Sequence, residues 1–176
     1  MTTIIKSQFA NRGVAGDFAF MIEQPEHQRT LFVFNDNEEQ FLAHFISPTN
    51  PFGAVALRID PIPPSSGADA CSPGGGNAAI RPYQCGPHPR AIGVPTGSYQ
   101  KEKPDYYTGY KVLDAHVSKM VGYSMMQIDA LLASGRFDSL AFSYNPETNL
   151  GGRLFDTAQV VRNFIVDELL RVAKKH

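Results

Sequence analysis

The chain is short of the features that mark several large functional classes. Of its 176 residues only two are cysteine, Cys71 and Cys85, and no Cys/His set at zinc-site spacing accompanies them. No P-loop is present. Lys and Arg number 16 against 17 Asp and Glu, a formal net charge of -1, so the basic excess expected of a nucleic-acid or anionic-membrane binder is missing. No apolar run approaches the length of a membrane span, and no leader-like segment opens the chain. These absences lead to the expectation of a cytoplasmic protein. In that compartment the two cysteines, fourteen apart, are expected as reduced thiols, although the spacing also permits a disulfide. No group of side chains points to a metal, and none calls for a cofactor.

What the chain has is an alternation of strand-like and helix-like segments. At 43% hydrophobic and 19% charged, it has the composition of a globular domain, and its length suits a single one. "RTLFVFND" (29–36) holds a continuous apolar run, as in a strand buried on both faces. "NEEQFLAHFI" (37–46) predicts a helix with Asn37 as N-cap and two glutamates in its first turn. "RAIGVPTG" (90–97) predicts a buried strand closing in a turn, and "FDSLAFSYN" (137–145) another strand. Residues 112–133 carry the stripe of an amphipathic helix, with Gly135 just beyond its end. A last helix follows Asp156 or Thr157 as cap and is expected to dock through Val160, Phe164, Ile165 and Leu169. Three weaker readings complete the pass. Segments 3–9 and 17–23 are expected to pair as a hairpin, "FGAVALRI" (52–59) to form a strand, and "SYQKEKPDYYTGY" (98–110) to be a polar loop. The alternation predicts a single α/β domain with a mixed central sheet flanked by helices, macro-like or Rossmann-like. One long Pro/Gly/Ser-rich loop interrupts it at 60–76.

Small polar residues gather where the predicted strands end. In open α/β sheets ligands bind beyond the carboxyl ends of the strands. Here those ends offer Asn35, Asp36, Asn37, Thr96, Gly97, Tyr144, Asn145 and Asn149. The run Gly74, Gly75, Gly76 leads into Asn77 and the short helical stretch "NAAIR". Backbone amides at such a helix start suit a phosphate, with Arg81 as a clamp and Arg153, after a second glycine pair, facing it. Tyr83, Tyr99, Tyr106, Tyr107 and Tyr110 are concentrated around the expected mouth of a cleft. Catalytic groups are harder to assign. Asp36 is placed to position a water, but no second acid is fixed beside it. Cys85 and His88 form a conceivable nucleophilic pair, and His44 and His116 are expected at the surface or boundary of their helices.

The order "FNDN", "GGGNAAIR", "GVPTG" resembles the macro domain pattern, and the longer layout "VFNDN", "GGGNAAIRPY", "GVPTG", "LGGRLF" resembles a set of phage-type proteins. The macro resemblance implies that Asn35 and Asn37 face a ribose of an ADP-ribose-like ligand. It also implies that the glycine loop lies against the same sugar and that Thr96 and Gly97 meet phosphate. The phage resemblance implies sequestration of a NAD-derived or cyclic nucleotide immune signal, an anti-defence role exercised in the host cytoplasm. Two alternatives stay open: a hydrolase of ADP-ribosyl or cyclic nucleotide compounds, and a protein-interaction module. A homo-oligomer is compatible with each.

Overall fold

The computed structural model describes residues 1–60, 62–64, 66–100, 103–152 and 156–176. Its frame is a mixed sheet in the order β1 (Thr3–Ser7), β5 (Ser139–Asn145), β2 (Thr30–Asn37), β3 (Ala91–Gln100), β4 (Lys103–Gly109). The pairings β1–β5, β5–β2 and β2–β3 are parallel, while β3–β4 is antiparallel. A two-residue β6 (Asn149–Leu150) folds back on β5. Helices cover both faces, so the expected fold class holds.

The run Leu31–Phe34 shows why the sheet is double-sided. Side chains alternate across a strand, so Leu31 and Val33 enter one core and Phe32 and Phe34 the other. The first core is closed by α3 (Ala115–Ala133) and α4 (Gln159–Lys174) through residues such as Val121, Ile128, Ile165 and Leu169. The second is closed by α1 (Phe18–Met21) and by a 3₁₀ helix at Gly76–Gln84, through Phe18, Ile22 and Ile80. A third cluster joins α2 (Glu38–Phe45) to α3, where the Phe45 and Tyr123 rings stack with centroids 4.5 Å apart.

α2 therefore lies on the α3 side of the sheet and the 3₁₀ helix on the other. The chain between them has to change faces. It does so past the carboxyl ends of β2 and β3, which places the long Pro/Gly/Ser segment above the strand ends. The disulfide Cys71–Cys85, with Cα atoms 6.1 Å apart, ties that segment to the end of the 3₁₀ helix. The expectation of two reduced thiols is thus corrected: the crossing brings the two backbones within bridging distance. Closing a loop of this size stabilises a fold by about 3 kcal/mol in the chain-entropy account.

Several local expectations are also revised. Segment 17–23 is no hairpin arm. Asp17 accepts from the Ala19 amide as N-cap of α1, and the buried residues Phe18, Met21 and Ile22 follow helical, not alternate, spacing. β1 instead pairs with β5. Residues 52–59 form turns, not a strand: the Gly53 and Leu57 amides bond locally, the Ala54 amide donates to the Phe45 carbonyl at 2.7 Å, and Ala54 sits fully buried in the α2–α3 cluster. The Tyr-rich segment after Gly97 is largely strand, since β3 continues to Gln100 and pairs antiparallel with β4; residues 101 and 102 lie outside the described residues. Asn37 caps α2 as expected, accepting from the Gln40 amide at 2.9 Å, and Gly135 follows α3 at φ +77°. Asp156 and Thr157 cap nothing. Their side chains are committed to the Gly109 amide and the Thr96 carbonyl, holding the β3–β4 hairpin. α4 consequently begins later, and its buried stripe is Val161, Ile165, Leu169 and Val172, with Val160 half exposed.

Two predictions follow from this packing. Ile165→Ala should cost about 2–5 kcal/mol in a urea melt, and Phe164→Ala, whose ring is only partly covered, clearly less. The second concerns His44, expected near the surface and found only 4% exposed. Its Nε2–H donates to the Gln84 carbonyl at 3.0 Å, while Nδ1 faces the Asn50 amide nitrogen at 3.4 Å. A second ring proton would confront that donor. Burial lowers the His44 pKa from 6.5 to about 4. A lowered folded-state value means the unfolded chain binds the proton first. The stability from a neutral His44 is therefore whole above pH 6.5 and lost as pH falls toward 4, an effect on the order of 3 kcal/mol. Melts between pH 7 and 4 should show this slope, and His44→Gln should flatten it.

Candidate functional site

Four parallel strands deliver their carboxyl ends to one side of the molecule, and two adjoining cavities open there. The first, about 340 Å³, is lined by Asn35, Asp36 and Asn37 from the end of β2, Thr96 and Tyr99 from β3 and Tyr107 from β4. Gln40, Ala78, Arg81 and the segment Ser72–Gly75 complete it. The second, about 660 Å³, is lined by Gln8–Ala10 and Arg12 after β1, by Ser143 and Asn145 of β5, and by Gly75–Ala78. Asn35, Gly75 and Ala78 belong to both linings, so the two cavities form one bipartite cleft. Strand-end placement is what an open α/β sheet favours for a ligand.

At the centre of the first cavity lies a buried ion pair. Arg81 donates from Nη2 at 2.7 Å and from Nε at 3.2 Å to the same oxygen, Oδ1, of Asp36. The backbone amide of Asn37 donates to that oxygen too, at 2.8 Å. Arg81 also donates from Nη1 to the Ser72 carbonyl at 3.0 Å, and its guanidinium lies 5.8 Å from the Phe34 ring centroid. Side-chain exposure is 5% for Arg81 and 0% for Asp36. The other carboxylate oxygen, Oδ2, is buried without a hydrogen-bond partner. It packs on the backbone of Gly93, where a Cβ would fall 2.7 Å away. Burial pushes the Asp36 carboxyl up from 3.8, against the opposing pull of Arg81. Close by, burial likewise raises Glu39, whose Oε1 accepts from the Tyr99 amide at 3.0 Å and whose Oε2 is a second buried oxygen without a partner.

The three glycines differ in their reasons for being glycine. A Cβ at Gly74 would meet Arg81 Nη1 at 2.8 Å, so this residue makes room for the guanidinium. Its amide is engaged as well, donating to the Ala78 carbonyl at 2.9 Å. Gly76 adopts φ +55°, a left-handed conformation. Gly75 has neither reason: its φ is -78°, and a Cβ there would have no atom within 4 Å. It is exposed and lies where the two cavities meet.

Most of the other sequence-predicted residues have structural partners. Asn35 donates to the Gly151 carbonyl at 2.8 Å. Asn37, besides capping α2, donates to Gln40 Oε1 at 2.7 Å. Asn77 is a buried latch, accepting from the Phe18 amide and donating to Ser143 Oγ, both at 2.9 Å. Thr96 Oγ1 donates to the Asp36 carbonyl at 3.2 Å and shares a 2.7 Å hydrogen bond with the Tyr107 hydroxyl, whose pKa burial raises. Gly97 lines neither cavity. It permits the close approach of β4, since a Cβ would fall 2.3 Å from the Thr108 carbonyl oxygen. Tyr144 packs toward the α4 side, beneath the Lys6 ammonium, whereas Asn145 reaches the second cavity. Arg153 and the Tyr106 side chain lie outside the described residues. Of the remaining tyrosines, Tyr83 bonds Glu23 away from the cleft, and Tyr110 donates to Glu38 Oε1 at 2.7 Å. Cys85 is in the disulfide and His88 is exposed, so they make no nucleophilic pair.

Sequence reasoning missed Phe9 and Arg12. Arg12 pairs with Asp17 at 3.0 Å, half exposed, with its guanidinium 5.2 Å from the Phe9 ring centroid. "NRGVAG" carries turn residues between two apolar runs, and only the parallel pairing of β1 with β5 brings that turn to the cleft. Among the described residues no group of three His, Cys, Asp or Glu side chains is placed to hold a metal, and no helix is long and apolar enough to cross a membrane.

The fold and cleft together define an α/β protein with a strand-end cleft. Compared with known families, curated proteins and solved structures, the chain matches none.

Three of the five N–H donors of Arg81, expected as a phosphate clamp, are directed at Asp36 and Ser72, which gives it a structural role in the cleft. Arg81→Met should cost about 3–5 kcal/mol, the penalty for leaving a buried carboxylate unpaired. A double-mutant cycle with Asp36→Asn, read by chemical denaturation, should show that the two losses do not add.

Proposed function

We propose that the protein binds an ADP-ribose-like nucleotide in this cleft and holds it without turning it over. The observation that carries the reading is Gly75. At the junction of the two cavities the chain presents bare backbone that neither packing nor backbone conformation demands. Ligand approach supplies a reason for it.

The lining supports the division of such a ligand between the two cavities. The charges of Asp36 and Arg81 are spent on each other, which leaves the first cavity rich in neutral donors and acceptors. Asn35, Gln40, Ser72, Thr96, Tyr99 and Tyr107 are of the kind that satisfy the hydroxyls of a sugar. The second cavity is larger and contains an aromatic ring and a partly solvated guanidinium, Phe9 and Arg12, suited to the base and the charged parts of a nucleotide. Retention without turnover rests on the state of Asp36. One of its oxygens accepts from Arg81 and Asn37 and the other is packed on Gly93, so this acid is poorly placed to activate a water. A NAD-derived signal, linear or cyclic, is the corresponding ligand class, and sequestration of such a signal is the corresponding role.

The protein should be incubated with ADP-ribose, NAD and cyclic ADP-ribose, then heated, and the released compound identified by mass. Intact ligand is the expected result; an altered one would replace binding by hydrolysis, and no retention would remove the reading. Gly75→Val should melt within error of the wild type, yet bind ADP-ribose at least about tenfold more weakly in calorimetry.

A further inference from the structure

We propose that the Cys71–Cys85 disulfide is a thiol–disulfide exchange site through which a dithiol reductant releases one wall of the cleft. The wall in question is Ser72–Gly75, which lines the first cavity and, at Gly75, the second. Among the described residues between 60 and 75, none belongs to a helix or strand. What holds this wall is a short set of side-chain tethers, two backbone hydrogen bonds to Ala78 (Gly74 N–H to its carbonyl at 2.9 Å, its N–H to the Gly75 carbonyl at 3.1 Å) and one covalent bond. Gln40 donates to the Asp69 carbonyl at 2.7 Å, Arg81 to the Ser72 carbonyl at 3.0 Å, and Gln84 to the Ala70 carbonyl at 2.9 Å. The disulfide encloses the three glycines and the whole of the 3₁₀ helix, fastening the wall at Cys71 to the helix end at Cys85.

The two sulfur-bearing residues are unequally accessible. Cys71 is exposed and Cys85 half-buried, so an incoming thiolate meets Cys71 first. Attack on Cys71 Sγ forms a mixed disulfide and expels the Cys85 thiolate, which takes up a proton. The second thiol of the reductant then displaces the Cys71 thiolate, which is protonated in turn. Two electrons and two protons pass from the dithiol to the protein, and the reductant leaves as its own disulfide. The 3₁₀ helix stays anchored by Ile80 in the core and by the Arg81–Asp36 pair, both buried. Reduction therefore removes the wall's one covalent fastening, leaves it on hydrogen bonds alone, and spares the sheet.

The redox part of this proposal is independent of the ligand reading, and only its affinity arm rests on it. Oxidised wild-type protein should be treated with dithiothreitol without denaturant, alkylated and weighed. Two alkylated thiols are expected after treatment and none before. Hydrogen exchange of amides within residues 69–84 should then accelerate by about tenfold or more, while β2, α3 and α4 keep their protection. Reoxidation should restore the original pattern, and Cys71→Ser/Cys85→Ser should reproduce the reduced one. A bridge that resists native reduction, unchanged exchange after reduction, or loss of protection throughout the sheet would each overturn the proposal. In the affinity arm ADP-ribose should bind the reduced protein about tenfold more weakly. Equal binding to both forms would overturn the wall's role in the cleft. Binding to neither form would remove the ADP-ribose reading and leave the exchange measurement to decide the redox site.

Discussion

Arg81 and Asp36 form the contact on which the rest of the site depends. They join the end of the central strand β2 to the 3₁₀ helix on one face of the sheet, and through the Ser72 carbonyl to the segment that crosses the strand ends. A buried ion pair is seldom a large net stabiliser compared with an apolar one, but its members cannot be separated without leaving an uncompensated charge. That asymmetry makes the pair a positioning device. It also determines composition nearby: Gly74 and Gly93 each lack a side chain where one would strike the guanidinium or the carboxylate.

From this contact the polarity of the cleft follows. With the acid and base among the described lining residues of the first cavity directed at each other, the remaining polar side chains there are amides and hydroxyls, and several of these have partners of their own. Asn37 is occupied by α2 and Gln40, while Thr96 is occupied by Asp36 and Tyr107. Such a surface is preorganised, because its side chains are already held in place before a ligand arrives. The less constrained groups are on the side of Arg12 and Phe9, where the guanidinium is half exposed. The two halves of the cleft meet at the bare backbone of Gly75.

The face-crossing connection between α2 and the 3₁₀ helix is the least ordinary element of the fold. A parallel pair such as β2–β3 requires a crossover, commonly a helix on one face. Here the crossover places a helix on each face and runs the intervening chain over the strand ends. That path costs backbone order in a segment rich in glycine and proline, and the disulfide offsets part of the cost by shortening the loop that must be ordered.

Much of the frame was legible in the residues. The run Leu31–Phe34 announced a strand buried on both faces, Asn37 a helix start, and Gly135 a helix end, because each signal acts within a few residues of its own position. Strand-end placement of Asn35, Asp36, Thr96 and the glycine loop was legible for the same reason. What tertiary structure decided was which groups spend their bonds on one another. Arg81 reads as a free cation until β2 supplies Asp36, and Thr157 reads as a helix cap until the β3 carbonyl of Thr96 takes its hydroxyl. Residues 17–23 fit a strand pattern until burial selects Phe18, Met21 and Ile22, and the Tyr-rich segment becomes β4 only because β3 offers an open edge. The pairing of Cys71 with Cys85 likewise depends on a chain path that no local pattern encodes. Local sequence set the elements through short-range backbone and capping preferences. Partners distant in sequence determined the charge, the polarity and the covalent fastening of the cleft, since those properties arise only when separate elements meet.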